Sequence, residues 1–313
     1  MSKPNRFFGP SENFKYVLMA TNIDEKDNKF YYFYLPFCAE AWKKLGFKTV
    51  ILLISTKEVD LENLKIDNQP AMKTIEYLKK LDCKLIVIKS DKNYGKITSM
   101  VSRLFAGAIT ELNDEDYIMT SDSDLIPISK SYYNTESHDA ITVWNAFCCG
   151  SYQLKNKNYE MYPMGHIGMK KKHWREVMNF NKETKINSES VRILVGDNMG
   201  NHLFKEDDKI ARGDPTWFAD QTILSKQISI YVNELNRTEL IKKKFTGIRY
   251  DRIYSDSELI KLANDSYDQL TDFHAFHSDF SEKWPIMENL FKRLFDNITF
   301  NSLLGYFKDF KNS

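Results

Sequence analysis

An alternation of strand-length apolar runs with helical segments constrains this chain more than any other feature. Lys15 to Asn22, Lys48 to Ser55, Lys84 to Lys89 and Tyr117 to Thr120 are apolar or β-branched runs of strand length. Between them, the aromatic-rich Phe30 to Leu45 predicts a buried helix closed by Gly46, and Pro70 to Leu81 and Lys96 to Ile109 predict two amphipathic ones. This rhythm implies parallel strands joined by right-handed crossovers, hence an α/β fold with a central, mostly parallel sheet flanked by helices. In such sheets ligands bind beyond the carboxyl ends of the strands, where Thr21-Asn22 and Asp122-Ser123-Asp124 both fall.

After Asp139 the rhythm changes. Strands are expected at Ala140 to Val143, around Gly165 to Gly168, and at Phe245 to Tyr254. Helices are expected at Lys170 to Phe180 and Trp217 to Lys226, with irregular polar sequence from Asn181 to Asp214 that would suit an acceptor loop. From Ser281 onward, Phe291, Leu294, Phe295, Ile298, Leu303, Leu304 and Phe307 recur at helical spacing. No Pro/Gly/Ser linker or internal repeat intervenes, so one domain is expected over 1–280, in halves 1–128 and 129–280, with 281–313 as a helical tail packed on it.

Composition narrows the function. Lys+Arg number 44 and Asp+Glu 43 in 313 residues, which leaves no general basic field for coating nucleic acid. A chain this long buries enough surface to fold without a disulfide or metal. No apolar run approaches the ~20 residues of a membrane span. The N-terminus has no apolar signal region, so a cytoplasmic protein is expected. Cys38, Cys83, Cys148 and Cys149 contain no C-x-x-C and are expected to be thiols of a reducing compartment. The Lys170-Lys171-Lys172 and Lys242-Lys243-Lys244 runs are expected to be solvated; an alternative places them and the tail on an anionic membrane, as a peripheral contact.

Two aspartates one residue apart after a buried strand can present both carboxylates to a divalent cation, which takes oxygen ligands and leaves positions open for phosphate. Asp114-Glu115-Asp116 has the same pattern but precedes the strand, where a solvated turn suffices. For Asp122 to Asp124 an Asx-turn remains the simpler structural alternative.

Three segments, in order, carry a resemblance: Tyr117-Ile118-Met119-Thr120-Ser121-Asp122-Ser123-Asp124-Leu125-Ile126-Pro127; Trp217-Phe218-Ala219-Asp220-Gln221-Thr222-Ile223-Leu224; and His277-Ser278-Asp279-Phe280-Ser281-Glu282-Lys283-Trp284-Pro285. The chain resembles nucleotide-sugar glycosyltransferases of the GT-A fold, most closely the retaining glycogenin and lipopolysaccharide galactosyltransferase type, with D-x-D, D-Q and H-x-x-G-x-x-K-P-W motifs. It departs from the third motif at Phe280, where the family has Gly, and inverts the final Pro and Trp.

The resemblance implies a Rossmann-like nucleotide-binding half over 1–128 and an acceptor and sugar half over 129–280. It implies Mn²⁺ or Mg²⁺ held by Asp122, Asp124 and His277, with His274 competing for the third place. Thr21, Asn22, Arg103, Asp122, Ser123 and Lys283 would contact the donor, although an exposed helix arginine at Arg103 and a solvated helix-start lysine at Lys283 need no function. Asp220 and Gln221 would act at the reacting sugar, although an Asp at a helix start needs no function. Gly165 and His166 would let sugar or acceptor approach the backbone. The implied reaction is transfer from a UDP-sugar to a glycan, glycolipid or glycoprotein hydroxyl, retaining favoured over inverting. A degenerate glycosyltransferase acting as a binding module, and a two-metal phosphodiesterase, remain alternatives. A sugar-nucleotide pyrophosphorylase would want a glycine-rich loop after the first strand, and Ala20-Thr21-Asn22-Ile23-Asp24 has none.

Overall fold

The computed structural model describes residues 13–25, 29–135, 139–277 and 280–313. The N-terminal segment 1–12, with the expectation about a signal, and Ser278 and Asp279 of the third motif lie outside them. The chain begins β1 (Lys15–Asn22), α1 (Phe30–Phe33), α2 (Leu35–Lys44), β2 (Lys48–Ser55), α3 (Gln69–Lys80), β3 (Lys84–Lys89), α4 (Gly95–Ser102) and β4 (Tyr117–Thr120). It continues β5 (Leu125–Pro127), β6 (Ile141–Trp144), β7 (Ser151–Leu154), β8 (Lys157–Glu160), β9 (Ile167–Lys170), α5 (Lys171–Val177), α6 (Ser188–Met199) and α7 (Ala219–Ser229). It ends β10 (Leu240–Lys243), β11 (Ile248–Asp251), α8 (Asp256–Asp265), β12 (Leu270–His274), α9 (Trp284–Leu294) and α10 (Asn297–Lys311).

Among the described residues, seven strands form one sheet in the order β10-β6-β9-β4-β1-β2-β3. All run parallel except β9, which is antiparallel to β4 and β6. The expected α/β class with a mostly parallel mixed sheet is therefore observed. The first three strands read as unbroken apolar runs because helices cover both faces. Val17, Met19, Ile51 and Leu53 enter one core with α2, α3 and α10, while Leu18, Val50, Leu52 and Ile54 enter another with α4 and α7. Gly46 ends α2 at φ +90°, a conformation that favours glycine.

The chain steps from β1 outward to β2 and β3, then returns to β4 on the other side of β1. That reversal opens a crevice at the carboxyl ends of β1 and β4. A second sheet, β11-β12-β5, closes beside it: β12 pairs antiparallel with β5, with His274 opposite Leu125. The Ala275 amide donates to the Asp124 carbonyl at 2.9 Å, tying the exit of β12 to the acidic loop.

Several expectations are corrected. The Phe30 to Leu45 helix resets at Tyr34, just before Pro36 in the first turn of α2. The Lys96 to Ile109 helix stops at Ser102 and gives way to a 3₁₀ segment, Arg103–Ala108. Asn181 to Asp214 is not irregular throughout: α6 buries Val191, Leu194 and Val195, and the Asn187 side chain caps it by accepting from the Ser190 amide. The late strand shrinks to Ile248–Asp251. Asp116 is buried rather than solvated, its Oδ1 accepting from the Phe14 amide and its Oδ2 from the Asn113 amide. Lys171 is buried and donates to the Leu112 carbonyl, while Lys170 and Lys172 both pair with Glu115. Cys148 and Cys149 are joined as a vicinal disulfide, whereas Cys38 and Cys83 are free.

The tail is helical as expected. Trp284 stacks on Phe307 with ring centroids 3.9 Å apart, and the Tyr306 hydroxyl donates to the Phe33 carbonyl. Its apolar stripe is thus used inside the protein, except for Ile298, which is 85% exposed. No helix among the described residues is long and apolar enough to cross a membrane.

Gly107 sits where the 3₁₀ segment crosses α5, and an added Cβ would lie 2.4 Å from the Arg175 amide nitrogen. Backbone cannot rotate away as a side chain can, so Gly107→Ala is expected to destabilise the fold by about 1–3 kcal/mol. Urea denaturation reads this directly; an unchanged midpoint would contradict the packing.

Candidate functional site

Residues from β1, α1, α4, the acidic loop, α7 and the turns after β11 and β12 line a cleft of about 470 Å³. It gathers Thr21, Asn22, Arg103, Asp122, Ser123, Asp124, Asp220, Gln221, His274 and His277. Thr21 is buried at the end of β1, and its Oγ1 has no hydrogen-bond partner among the described residues. A buried hydroxyl left unpaired is costly, so a ligand reaching this point finds a group ready to bond. The Asn22 side chain lies against α4, where a Cβ on Gly95 would come within 2.3 Å of its amide nitrogen. Glycine at that position lets the first residue of α4 approach the end of β1.

Arg103 is the hub of the cleft floor. Its Nη1 donates to Asp122 Oδ1 at 2.5 Å and to the Ser121 carbonyl at 3.1 Å, and its Nη2 donates to Asp220 Oδ2 at 2.8 Å. Through Arg103 the two carboxylates fix the acidic loop to the start of α7. Burial alone would lower the Arg103 pKa, but the two acids raise it above the ordinary value. Burial pushes the Asp220 carboxyl up, Arg103 pulls it back, and Asp122 adds to the rise. The other Asp220 oxygen accepts from the Gln221 amide at 2.8 Å.

Asp124 faces the opposite wall. Its Oδ2 lies 3.2 Å from His277 Nε2 and 3.9 Å from His274 Nε2, and accepts from Arg252 Nη1 at 3.1 Å. Burial opposes ionisation of Asp124, yet the His277 bond and the neighbouring His274 and Arg252 hold its carboxyl well below the usual range. His277 stacks on Phe30 at 4.2 Å, whereas His274 Nδ1 is 3.3 Å from Asp251 Oδ2.

Asp122, Asp124 and His277 offer carboxylate oxygens and an imidazole nitrogen, the donor types that Mn²⁺ or Mg²⁺ accepts. Neighbouring ligands of an octahedral cation at ~2.1 Å stand ~3 Å apart, and the 3.2 Å between Asp124 Oδ2 and His277 Nε2 meets that spacing. Asp122 reaches the same cleft but is held by Arg103. No three His, Cys, Asp or Glu side chains among the described residues are arranged so that they could hold a metal ion together as they stand.

Some expected residues lie elsewhere. Lys283 is outside the cleft lining; its Nζ donates to Asp256 Oδ1 at 2.6 Å. Phe280 stacks on Phe33 in the core, and Trp284 and Pro285 begin α9. That half of the third motif builds the helix and core here. Gly165 and His166 also do not line the cleft; Gly165 backs the acidic loop, where a Cβ would lie 3.0 Å from Asp122 Oδ2. His166 is buried, with Nδ1 3.3 Å from the Tyr133 hydroxyl, which donates to Asp272.

Conversely, Lys96, Arg212, Trp217 and Arg252 line the cleft, as do Phe30 and Tyr31. Arg252 carried a usable signal, a cation immediately after a strand. Placing it inside a strand ending at Tyr254 hid that signal.

Burial pushes the His166 pKa down to about 4. A base held neutral in the folded state takes up a proton on unfolding, so stability is complete above the unfolded pKa of ~6.5 and falls as pH drops toward the folded value. The slope is about 1.4 kcal/mol per pH unit for this one proton. Stability curves from pH 7 to 4 should therefore be less steep by that amount in His166→Gln; parallel curves would refute the assignment.

No model of a known protein family matches the chain, and no curated protein matches it. Among solved structures, one named as a nucleotide-diphospho-sugar transferase from Desulfovibrio desulfuricans G20 aligns with TM-score 0.39 and 11% identity, over 89% of this chain and 99% of that one. A glycosyltransferase involved in glycosylation of the major capsid of PBCV-1 aligns with TM-score 0.38 and 10% identity, over 88% and 98% respectively. A 4-diphosphocytidyl-2C-methyl-D-erythritol synthase aligns with TM-score 0.34 and 6% identity, over 75% and 90%. Likeness at this level carries no argument about activity, which has to come from the cleft.

Proposed function

We propose that this cleft binds a nucleotide diphosphate sugar, UDP-linked, and transfers the sugar to a hydroxyl of a glycan, glycolipid or glycoprotein with the help of Mn²⁺ or Mg²⁺. The observation that carries the reading is the meeting of Asp122 and Asp124, at the carboxyl edge of β4, with His277 and the Asp220-Gln221 pair around one cavity. Asp124 and His277 would hold the cation, with Asp122 joining when its carboxylate turns from Arg103. The cation would supply Lewis-acid stabilisation of the departing diphosphate.

The chain's own groups have distinct tasks. Thr21 and Asn22 face the crevice end suited to the base, and the Thr21 hydroxyl is available to bond it. Ser123, buried between the two aspartates, holds the loop backbone against α2, where Cys38 Sγ donates to its carbonyl at 3.4 Å. Lys96 and Arg212 add positive charge along the cleft. Asp220 and Gln221 face the position of the sugar. Both Asp220 oxygens already accept hydrogen bonds, from Arg103 and from the Gln221 amide, which suits orienting sugar hydroxyls better than abstracting an acceptor proton. That favours retention over inversion.

Thermal unfolding with a panel of nucleotide diphosphates and their sugars, each with and without Mn²⁺, tests the reading. UDP and UDP-sugars should raise the midpoint only with Mn²⁺ present, through preferential binding to the folded state. No shift with any nucleotide would overturn it.

A further inference from the structure

Arg252 is a cation already bound to the carboxylate that the proposed metal needs. Its Nη1 shares Asp124 Oδ2 with His277, at 3.1 and 3.2 Å respectively. The same nitrogen donates to the Ala275 carbonyl at 3.0 Å, and the Arg252 amide donates to the His274 carbonyl at 3.2 Å. The amide bond fixes the main chain beside the cleft, and the Nη1 bond ties the guanidinium to the turn after β12. The side chain nevertheless lines the cavity, is 18% exposed, and has one carboxylate partner among the described residues. Arg103, by contrast, is 9% exposed and locked between two carboxylates, so it has little freedom to exchange partners.

A guanidinium and a divalent cation on one carboxylate oxygen would repel across a short distance in a partly desolvated site. One must leave or acquire a further anion. A diphosphate entering the cleft supplies that anion, and a planar guanidinium matches its oxygens well. We infer that Arg252 is a resident competitor for the metal position on Asp124, and that it transfers to the diphosphate when nucleotide and metal enter together. The inference rests on the metal-dependent nucleotide reading above. It makes Mn²⁺ binding depend on the nucleotide, and by linkage the nucleotide on Mn²⁺ by the same factor.

The test is Mn²⁺ binding to the full chain, followed by the electron paramagnetic resonance signal of free Mn²⁺, without and with saturating UDP. Wild type should bind Mn²⁺ at least ~10-fold more tightly with UDP, within the usual range of coupling. Arg252→Gln should bind Mn²⁺ alone ~10-fold more tightly than wild type, while its UDP affinity in Mn²⁺ falls by a similar factor. Arg252→Lys should retain the wild-type direction of coupling. If Arg252→Gln binds Mn²⁺ alone no more tightly although wild type binds Mn²⁺ and UDP jointly, the inference fails and the nucleotide reading stands. If wild type binds no Mn²⁺ even with UDP, both fail. Should the Gln variant not fold by circular dichroism, the wild-type coupling decides: independent binding of Mn²⁺ and UDP overturns the inference.

Discussion

Asp124→Asn is expected to weaken UDP binding in saturating Mn²⁺ by about 100-fold, a loss of about 2.7 kcal/mol. The substitution keeps the shape of a buried side chain and removes only its charge. Three neighbours then lose their anion together: Arg252, His277 and, more distantly, His274. Truncating one member of a buried, hydrogen-bonded charge set commonly costs about 2–5 kcal/mol, so the expected loss sits within that range. Donor turnover should fall at least as far, because the proposed Lewis-acid contribution goes with the metal. Isothermal titration with UDP, with circular dichroism as the folding control, makes the measurement. A folded variant that keeps its UDP affinity within about 3-fold, about 0.7 kcal/mol, would remove Asp124 from the site.

Arg103→Met should instead be read as a stability loss, about 3–5 kcal/mol, because it strands a charge in the protein interior. The decisive partner is Asp220, whose side chain is only 4% exposed, while that of Asp122 is 41% exposed and can be served by water. Removing both members of the buried pair, as in Arg103→Met with Asp220→Leu, should recover much of the loss, since a well-packed apolar pair can replace a buried ion pair. Urea denaturation of the two single variants and the double variant gives the coupling. Additive losses would show that Arg103 and Asp220 do not act as a pair.

The first half of the fold was legible because buried parallel strands need apolar runs and their crossovers need amphipathic helices. The bounds of β1, β2, β3 and β4 follow directly from those patterns. The second half relies on short elements whose identity depends on their partners. β12 is recognised as a strand through its pairing with β5, which brings His277 to Asp124 across 153 positions. α8 did carry a local signal: Ser255 and Glu258 form a capping box at its start. Polarity concealed α6, because its buried stripe is only Val191, Leu194 and Val195 among the buried apolar side chains.

The candidate site was legible in part for the same reason. Strand ends fix where Thr21, Asn22, Asp122 and Asp124 lie, so their convergence follows from topology. A motif pattern was less secure for Lys283, which the fold uses at the start of α9, and for His166, which lies beneath the acidic loop. Arg252 depends on tertiary placement. Its contact with the cleft arises only when the turn after β11 is brought against Asp124.

The most direct test of the account is a crystal of the protein grown with UDP and MnCl₂, measured at the manganese absorption edge. The account predicts an anomalous peak bonded to Asp124 and His277 and to the diphosphate, with Arg252 moved from Asp124 onto a phosphate oxygen. UDP bound in the cleft with no manganese on Asp124, or manganese bound away from the diphosphate, would contradict it.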